Sequence, residues 1–284
     1  MAVRRSRKAG AAAVAVIVII IAFLAFFKAK HLQFPAAGVS GCVVHGNRFD
    51  VPLEASQAAI AATIAGVAAH RTMPVRAVTI AYAAALQESD LANLAYGDRD
   101  SVGVFQQRPS QGWGSRQHLL DPVYASTRFF AALAAIPGYR KLAVDKAAQD
   151  VQRSADGSAY AQYEPQGAQM AGGFSGARPR SVWCWYAAPI KGKGRLGAAE
   201  FQLRHAFGHL PVSHTGDPLA VVHVPRPQLG WAIAAWLVSH ANRFRLKQVS
   251  YQGFRWTAAH AHRGWRREPG TGHGPPGRSD LEFG

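Results

Sequence analysis

Residues 50–170 are patterned as a series of short helices around one irregular loop. Apolar residues recur at helical spacing over residues 74–89, and the sequence "DPVYASTRFFAALAAI" begins with the Asp-Pro pair typical of a helix start. The first helix is expected to begin at Asp50, with Pro52 in its first turn. Residues 93–115 are rich in glycine and proline and show no period. We therefore predict a helical scaffold that holds a cleft beside a polar loop.

The chain as a whole divides by composition into seven segments. We expect a mainly α fold: one transmembrane helix, then a helical domain with a polar loop insertion, then a small α+β unit. The tail has the composition of a disordered segment. The expected segments are a cytoplasmic basic segment (1–10), a transmembrane anchor (11–27), a linker (28–49), the helical domain (50–170), a basic Gly/Pro-rich linker (171–218), the α+β unit (219–266) and the tail (267–284).

Residues 11–27 contain no polar side chain and would span about 25 Å as a helix, which suits one crossing of a lipid bilayer. The basic "RRSRK" stretch before them predicts that the N-terminus stays in the cytoplasm and that the rest of the chain is extracytoplasmic. A cleaved signal peptide has a similar pattern and stays open as the alternative. The expected location is therefore the cell membrane, single-pass.

The formal net charge of +16 is unevenly distributed. Charges cancel over residues 54–170, so the basic excess lies in the N-terminus and in residues 178–204 and 243–278. These basic stretches could bind anionic wall polymers or be ordinary solvated faces. Nucleic acid is a poor partner for a segment expected outside the membrane.

Cys42 and Cys184 are the two cysteines of the chain, and an exported protein would carry them in an oxidising space. One disulfide between them is the economical interpretation, with two free thiols as the alternative. We expect no metal site and no cofactor, because the chain lacks a CxxC motif and its twelve histidines are scattered.

Glu88 ends the helix over residues 74–89 on a strip of small apolar residues. An apolar setting and the negative end of the helix dipole both favour the protonated carboxylic acid. Such an acid can protonate the leaving oxygen of a glycosidic bond. The alternative is an exposed helix-end residue with no chemical role.

The loop that follows has the composition of a sugar-binding surface. Its glycines allow tight backbone paths, its amides can hydrogen-bond to hydroxyl groups, and its aromatic rings offer flat apolar faces. Phe105 and Trp113 could instead fill the core beneath the loop. The candidate cleft residues from this composition are Asn93, Tyr96, Phe105, Gln106, Gln107 and Trp113.

Three segments, "ALQESDL", "DSVGVFQQRP" and "LLDPVYASTRFFAAL", resemble the lysozyme-like superfamily of the soluble lytic transglycosylase type. Residues 50–164 are similar in order to actinobacterial membrane-anchored members of that superfamily. The resemblance implies a lysozyme-like helical domain in which Glu88 is the catalytic acid and Ser89 helps to orient it. It further implies that Gly103, Phe105 and Gln106 line the sugar cleft.

The chain departs from the family pattern at one point. The family next has an Ala-Tyr-Asn segment whose tyrosine contacts the reacting centre, and the corresponding "AAQDVQRSA" has no tyrosine. Tyr160, in "SAYAQYE", lies several residues later and is the candidate for that role.

The outcome of the reaction depends on a second carboxylate. A lytic transglycosylase needs one acid, whereas a hydrolase needs a partner carboxylate about 5 to 9.5 Å away. Asp90, Asp98 and Asp100 are candidates by sequence proximity, although Asp98 and Asp100 also suit a turn.

The sequence thus predicts a membrane-anchored enzyme that cleaves peptidoglycan glycan strands, as a lytic transglycosylase or a muramidase-like glycosidase. The alternative is a non-catalytic module that binds peptidoglycan and positions other proteins of the cell envelope. The missing tyrosine favours the module, and the Glu-Ser and Gly-x-Phe-Gln segments favour the enzyme.

Overall fold

A computed structural model of the protein describes residues 38–154, 157–214, 219–268 and 280–284. The contacts of residues 40–284 form one compact unit. The helices of the described residues are α1 (Ala55–His70), α2 (Val75–Ser89), α3 (Arg116–Leu119), α4 (Pro122–Ala135), α5 (Val144–Gln152), α6 (Ser158–Ala161), α7 (Glu164–Phe174), α8 (Leu196–Phe207), α9 (Pro227–Ser239) and α10 (Ala241–Phe244). Two 3₁₀ turns lie at Pro109–Gln111 and Ala258–Arg263.

The helix boundaries follow local signals where those signals are strong. The prediction of a helix over residues 74–89 is confirmed by α2, which begins after Pro74. Helix α4 has Pro122 in its first turn, and the Asp121 carboxylate accepts a hydrogen bond from the Val123 N–H, as expected of an N-cap. Helix α1 has Glu54 at its N-cap in place of the expected Asp50, because residues 51–54 form a strand.

The described strands form two antiparallel sheets. The first has the order β2-β1-β3, and the second has the order β4-β5-β9-β6-β7-β8. The strands are β1 (Gly41–Val44), β2 (Val51–Glu54), β3 (Val182–Trp185), β4 (Val212–His214), β5 (Ala220–His223), β6 (Gln248–Tyr251), β7 (Phe254–Thr257), β8 (Arg266–Arg267) and β9 (Asp280–Phe283).

The expectation of a mainly α fold is wrong, because these two sheets are a major part of the structure. In the described residues, no helix has the length and apolar character to cross a bilayer. The expected transmembrane segment, residues 11–27, lies outside the described residues. Strands were expected in the α+β unit (219–266), and β5, β6 and β7 lie there. The other strands escaped local analysis because they are two to four residues long, and β3 and β9 pair with distant segments.

Strand pairing joins segments that composition separated. Strand β3 comes from the segment expected to be a linker and pairs with β1, which precedes the helices. Strand β9 comes from the tail expected to be disordered, yet it lies between β5 and β6 in the second sheet. Helix α8, from the same linker segment, packs against α1. Tertiary pairing therefore orders the described parts of both segments.

Helices α1 and α2 form the centre of the core. Alanine predominates on both, and the small side chains allow close approach, so Ala77 to Leu86 are all buried. Helix α2 packs most extensively against α7, and α1 against α9 and α4. The C-terminal end of α2, which carries Glu88, is therefore held by packing on several sides.

The disulfide expected between Cys42 and Cys184 is present. The two cysteines lie directly opposite each other in the β1–β3 ladder, with their Cα atoms 3.9 Å apart. Both are fully buried. The bond thus links the strand before the helices to the strand after them.

Candidate active site

Glu88 lies where the buried helix α2 reaches the surface. The ten residues from Ala77 to Leu86 are buried, whereas Glu88 is partly exposed. The helix ends at Ser89, its C-cap residue Asp90 has φ +51°, and Leu91 follows with φ +59°. This left-handed turn directs the chain away from the helix axis, so the carboxylate stands at an open helix end.

Tyr160 contacts the carboxylate of Glu88. It lies on the short helix α6, its ring is 2% exposed, and its hydroxyl donates a hydrogen bond of 2.7 Å to Oε1 of Glu88. The tyrosine that the sequence offered as a candidate therefore lies against the Glu88 carboxylate. The tyrosine lies 72 residues from the carboxylate in sequence.

The protonation of Tyr160 is strongly biased by its surroundings. Burial raises the pKa of its hydroxyl well above 10, and the hydrogen bond and negative charge of Glu88 raise it further, while a hydrogen bond with the Ser154 side chain lowers it in part. The phenol therefore stays protonated at neutral pH and keeps its proton directed at the carboxylate.

Ser89 fixes the loop beside Glu88. Its hydroxyl lies 2.8 Å from the carbonyl oxygen of Val104 and 3.2 Å from that of Ala85. The Gln152 side chain donates to the next carbonyl of the loop, that of Phe105, at 2.7 Å. The loop is thus held from helix α2 on one side and helix α5 on the other.

Gly103 is required by the turn that follows. Its φ is +80°, and a Cβ atom at this position would lie 2.3 Å from the carbonyl oxygen of Leu119. Its N–H donates to the Leu94 carbonyl at 2.7 Å, and the isolated bridge between Val102 and Gln107 closes the turn. Gly103 therefore shapes the loop through its backbone, where a substrate contact had been expected.

Three of the expected cleft residues instead belong to the core. Phe105 is fully buried and stacks on Phe129, with ring centroids 4.5 Å apart. Trp113 is 7% exposed, and Gln107 is 2% exposed with its amide directed at the Ala125 carbonyl, 3.4 Å away. These side chains support the loop from beneath and are not available to a surface ligand.

Asn93, Tyr96 and Gln106 are the expected loop residues that reach the surface. The side chain of Tyr96 is 73% exposed. The Gln106 amide donates to the carbonyls of Tyr96 and Gly103, at 3.3 and 3.1 Å. Asn93 donates to the Leu120 carbonyl at 2.8 Å and so ties the loop to the start of α4. An exposed ring next to polar amides is the combination that sugar binding requires.

The three aspartates considered as a second carboxylate lie in turns or at the end of a helix. Asp100 accepts hydrogen bonds from Arg108 and from the backbone and hydroxyl of Ser110, and those of Ser110 and Arg108 lower its pKa to about 2. The Asp98 side chain is 88% exposed, and its carbonyl accepts from Ser101. Burial, followed by the charge of Glu54, raises the pKa of Asp90 at the helix end.

Two amide side chains near the site had no signal in the sequence. Gln152 holds the Phe105 carbonyl, and Gln162 lies 3.5 Å from Gln87 on the turn before Glu88. Both come from segments separated from α2 by more than 60 residues. No protein-family model matches this chain, and a search of curated proteins finds no significant match.

Proposed function

We propose that this protein cleaves the glycan strand of peptidoglycan, with Glu88 as the catalytic acid. The observation that carries the proposal is the pairing of a partly exposed carboxylate at a helix end with a buried tyrosine hydroxyl at 2.7 Å. The resemblance of residues 50–164 to the lytic transglycosylase type supplies the class of substrate.

The pair suits an acid that later acts as a base. A protonated Glu88 donates its proton to the glycosidic oxygen as the bond to that oxygen breaks. The carboxylate left behind is stabilised by the Tyr160 hydroxyl, because a hydrogen bond to a charged group contributes about 1.5 to 3 kcal/mol. The same bond holds the carboxylate in one orientation for both steps.

A non-hydrolytic route fits this site better than hydrolysis. In that route the C6 hydroxyl of the sugar closes an anhydro ring, and Glu88 accepts its proton, so one carboxylate is sufficient. A hydrolase needs a partner carboxylate. Asp98 and Asp100 are supported less well as partners because both form turns, and both oxygens of Asp100 accept hydrogen bonds there.

The surface beside Glu88 supports a polymeric sugar substrate. Tyr96 presents an exposed ring, and the amides of Gln87 and Gln106 lie on the same stretch of helix end and loop. Pyranose rings stack on aromatic faces, and their hydroxyls pair with amides. The rigid turn at Gly103 keeps these groups in place relative to the carboxylate.

We place the described part of the chain outside the cytoplasm. The buried disulfide between Cys42 and Cys184 supports this location, since disulfides persist in oxidising compartments. Peptidoglycan lies in the same compartment.

The test is mass spectrometry of the fragments that the purified full chain releases from isolated peptidoglycan. Glu88→Gln should abolish release. Asp145→Asn is the matched carboxylate-to-amide control, since Asp145 lies in the first turn of α5 and is expected to tolerate the change. Anhydro-muramyl ends from wild type and from the control, absent in Glu88→Gln, would establish the transglycosylase.

The other outcomes separate the alternatives. Ordinary reducing ends would mean a hydrolase and would return attention to Asp90, Asp98 and Asp100. If wild type and Glu88→Gln release nothing yet both sediment with the wall, the protein is a binding module and the proposed chemistry is refuted.

A further inference from the structure

A second cluster of reactive side chains lies on the six-stranded sheet. The Ser213 hydroxyl is 3.1 Å from Nε2 of His223, and Nδ1 of His223 is 2.7 Å from Oδ1 of Asp280. With Nδ1 protonated, His223 donates to the carboxylate and accepts from the serine. We propose that Ser213, His223 and Asp280 form a nucleophilic triad that hydrolyses carboxylic esters, an activity separate from the proposed glycan cleavage.

The strand register explains why the three side chains meet. His223 lies directly opposite Asp280 in the β5–β9 ladder. Ser213 lies opposite Val221 on β5, two residues before His223, so both project from the same face of the sheet. Adjacent strands of one sheet hold the nucleophile, the base and the acid in order, which is the arrangement that a triad requires.

The triad lies on the solvent-facing side of the sheet. Leu281 and Phe283 of β9 are fully buried, whereas Asp280 alternates with them and is partly exposed, and Ser213 and His223 are exposed. A substrate can therefore reach the serine.

The backbone next to Ser213 can stabilise an oxyanion. The N–H of His223 on β5 donates to the Pro211 carbonyl at 3.0 Å. In an antiparallel pair every second residue of a strand bonds to its neighbour, so Ser213, two residues after Pro211, directs its own N–H at β5. The N–H of His214 then points to the outer side of β4. Among the described strands β4 is an edge of the sheet, so this donor faces away from the ladder beside the nucleophile.

A neighbouring cavity indicates the class of ester. It has a volume of about 540 Å³, and His223 contributes to its wall. Most of the remaining wall is apolar: Ala69, Phe207, Leu210, Pro211, Val224, Pro225 and Leu229. His70, Thr72, His209 and Arg226 add polar groups at the same wall. A cavity of this size and character accommodates a short alkyl chain, so we expect an ester with an apolar acyl group.

The proposed reaction consumes only the ester and one water molecule. Ser213 Oγ attacks the ester carbonyl carbon while its proton passes to Nε2 of His223. The carbon–oxygen bond to the alcohol then breaks, and His223 returns the proton to the leaving oxygen. Water hydrolyses the acyl-serine by the same two transfers, releasing the carboxylic acid. Asp280 holds the imidazole in the required tautomer throughout.

The test treats the purified full chain with a fluorophosphonate probe and with p-nitrophenyl butyrate. We expect one probe molecule per chain, attached to Ser213 by peptide mapping. Ser213→Ala should lose the label and slow butyrate hydrolysis by at least about 1,000-fold, and Asp280→Asn by at least about 100-fold. Ser250→Ala and His262→Gln are matched controls, from the same sheet and from an exposed surface, and should keep both activities.

A purely structural role for the three residues gives a different result. In that case wild type would not be labelled, or Ser213→Ala would keep the label or the hydrolysis, and either result overturns the proposal. Far-UV circular dichroism of each variant separates a lost triad from a lost fold. If Ser213→Ala does not fold, site-specific labelling of wild type and the Asp280→Asn rate decide the question. The readouts use no glycan, so they stand apart from the test of Glu88.

Discussion

Removal of the disulfide is the perturbation whose effect the structure defines best. Cys42 and Cys184 are 142 residues apart in sequence, so the bond closes a loop of about that length in the unfolded chain. By the loop-entropy relation this constraint contributes about 5 kcal/mol at 25 °C. Replacing both buried cysteines with alanine adds about 1 kcal/mol for lost packing. Because domains are typically stable by 5 to 15 kcal/mol, the double variant should be close to unfolding.

The assay is equilibrium unfolding in urea, followed by tryptophan fluorescence. Wild type, wild type after reduction, and Cys42→Ala with Cys184→Ala are compared in the full chain. The reduced protein and the double variant should both unfold at a much lower urea concentration. A reductant should leave the double variant unchanged, which controls for effects of the reductant itself.

One result would refute the reasoning. If the reduced protein and the double variant lose less than about 1 kcal/mol, the unfolded chain does not gain the freedom that a 142-residue loop implies. Residual structure between the two sheet segments in the unfolded state would then have to replace chain entropy as the explanation.

Three further predictions concern the core, the loop and the site. Burial lowers the pKa of His240 to about 4. The free energy of unfolding, measured in urea, should therefore be highest above pH 6.5 and fall by about 3 kcal/mol as the pH decreases to 4. Gly103→Ala should lower the free energy of unfolding by at least about 2 kcal/mol in the same assay. The alanine would have to adopt a positive φ, and its Cβ atom would clash with the Leu119 carbonyl oxygen. Tyr160→Phe should slow glycan cleavage about 10- to 100-fold, the loss of one hydrogen bond to a charged group.

Each of these predictions has its own control. His240→Gln should lose the acid-dependent slope, and an unchanged slope would point to other groups. Gly112 has φ +78° but open space at its Cβ position, so Gly112→Ala should lower the free energy of unfolding only through the strained backbone. Equal losses of unfolding free energy at both glycines would contradict the clash. Full activity in Tyr160→Phe would remove the tyrosine from the mechanism.

Most of the described helices were predictable because their signals are local, whereas α8 lies in a segment expected to be a linker. The periodicity of α2, the Asp121 cap and the Pro122 start of α4 all lie within the segments that they describe. Outside the α+β unit the strands had no comparable signal. Residues 41–44 and 182–185 are too short to be recognised alone, and their pairing depends on a register between distant segments. Strand β9 shows this most clearly, since polar neighbours predicted disorder and a place between β5 and β6 orders it.

The centre of the candidate site was predictable from the sequence, whereas the prediction for the residues around it was wrong. Glu88 and Ser89 end a helix that periodicity alone defines, so their position followed from sequence. The expected aromatic cleft did not, because composition cannot tell an exposed ring from a buried one: Phe105 packs on Phe129 and Tyr96 faces outward.

By itself the sequence determined where α2 ends, that Glu88 stands at that end, and which two cysteines could pair. These follow from spacing and residue type, which act over a few residues or by exclusion. Only the tertiary structure brought Tyr160 to Glu88 and aligned Ser213, His223 and Asp280. The Tyr160–Glu88 and His223–Asp280 hydrogen bonds, each 2.7 Å long, join residues 72 and 57 positions apart. Such contacts require packing and strand register, and no local pattern encodes either.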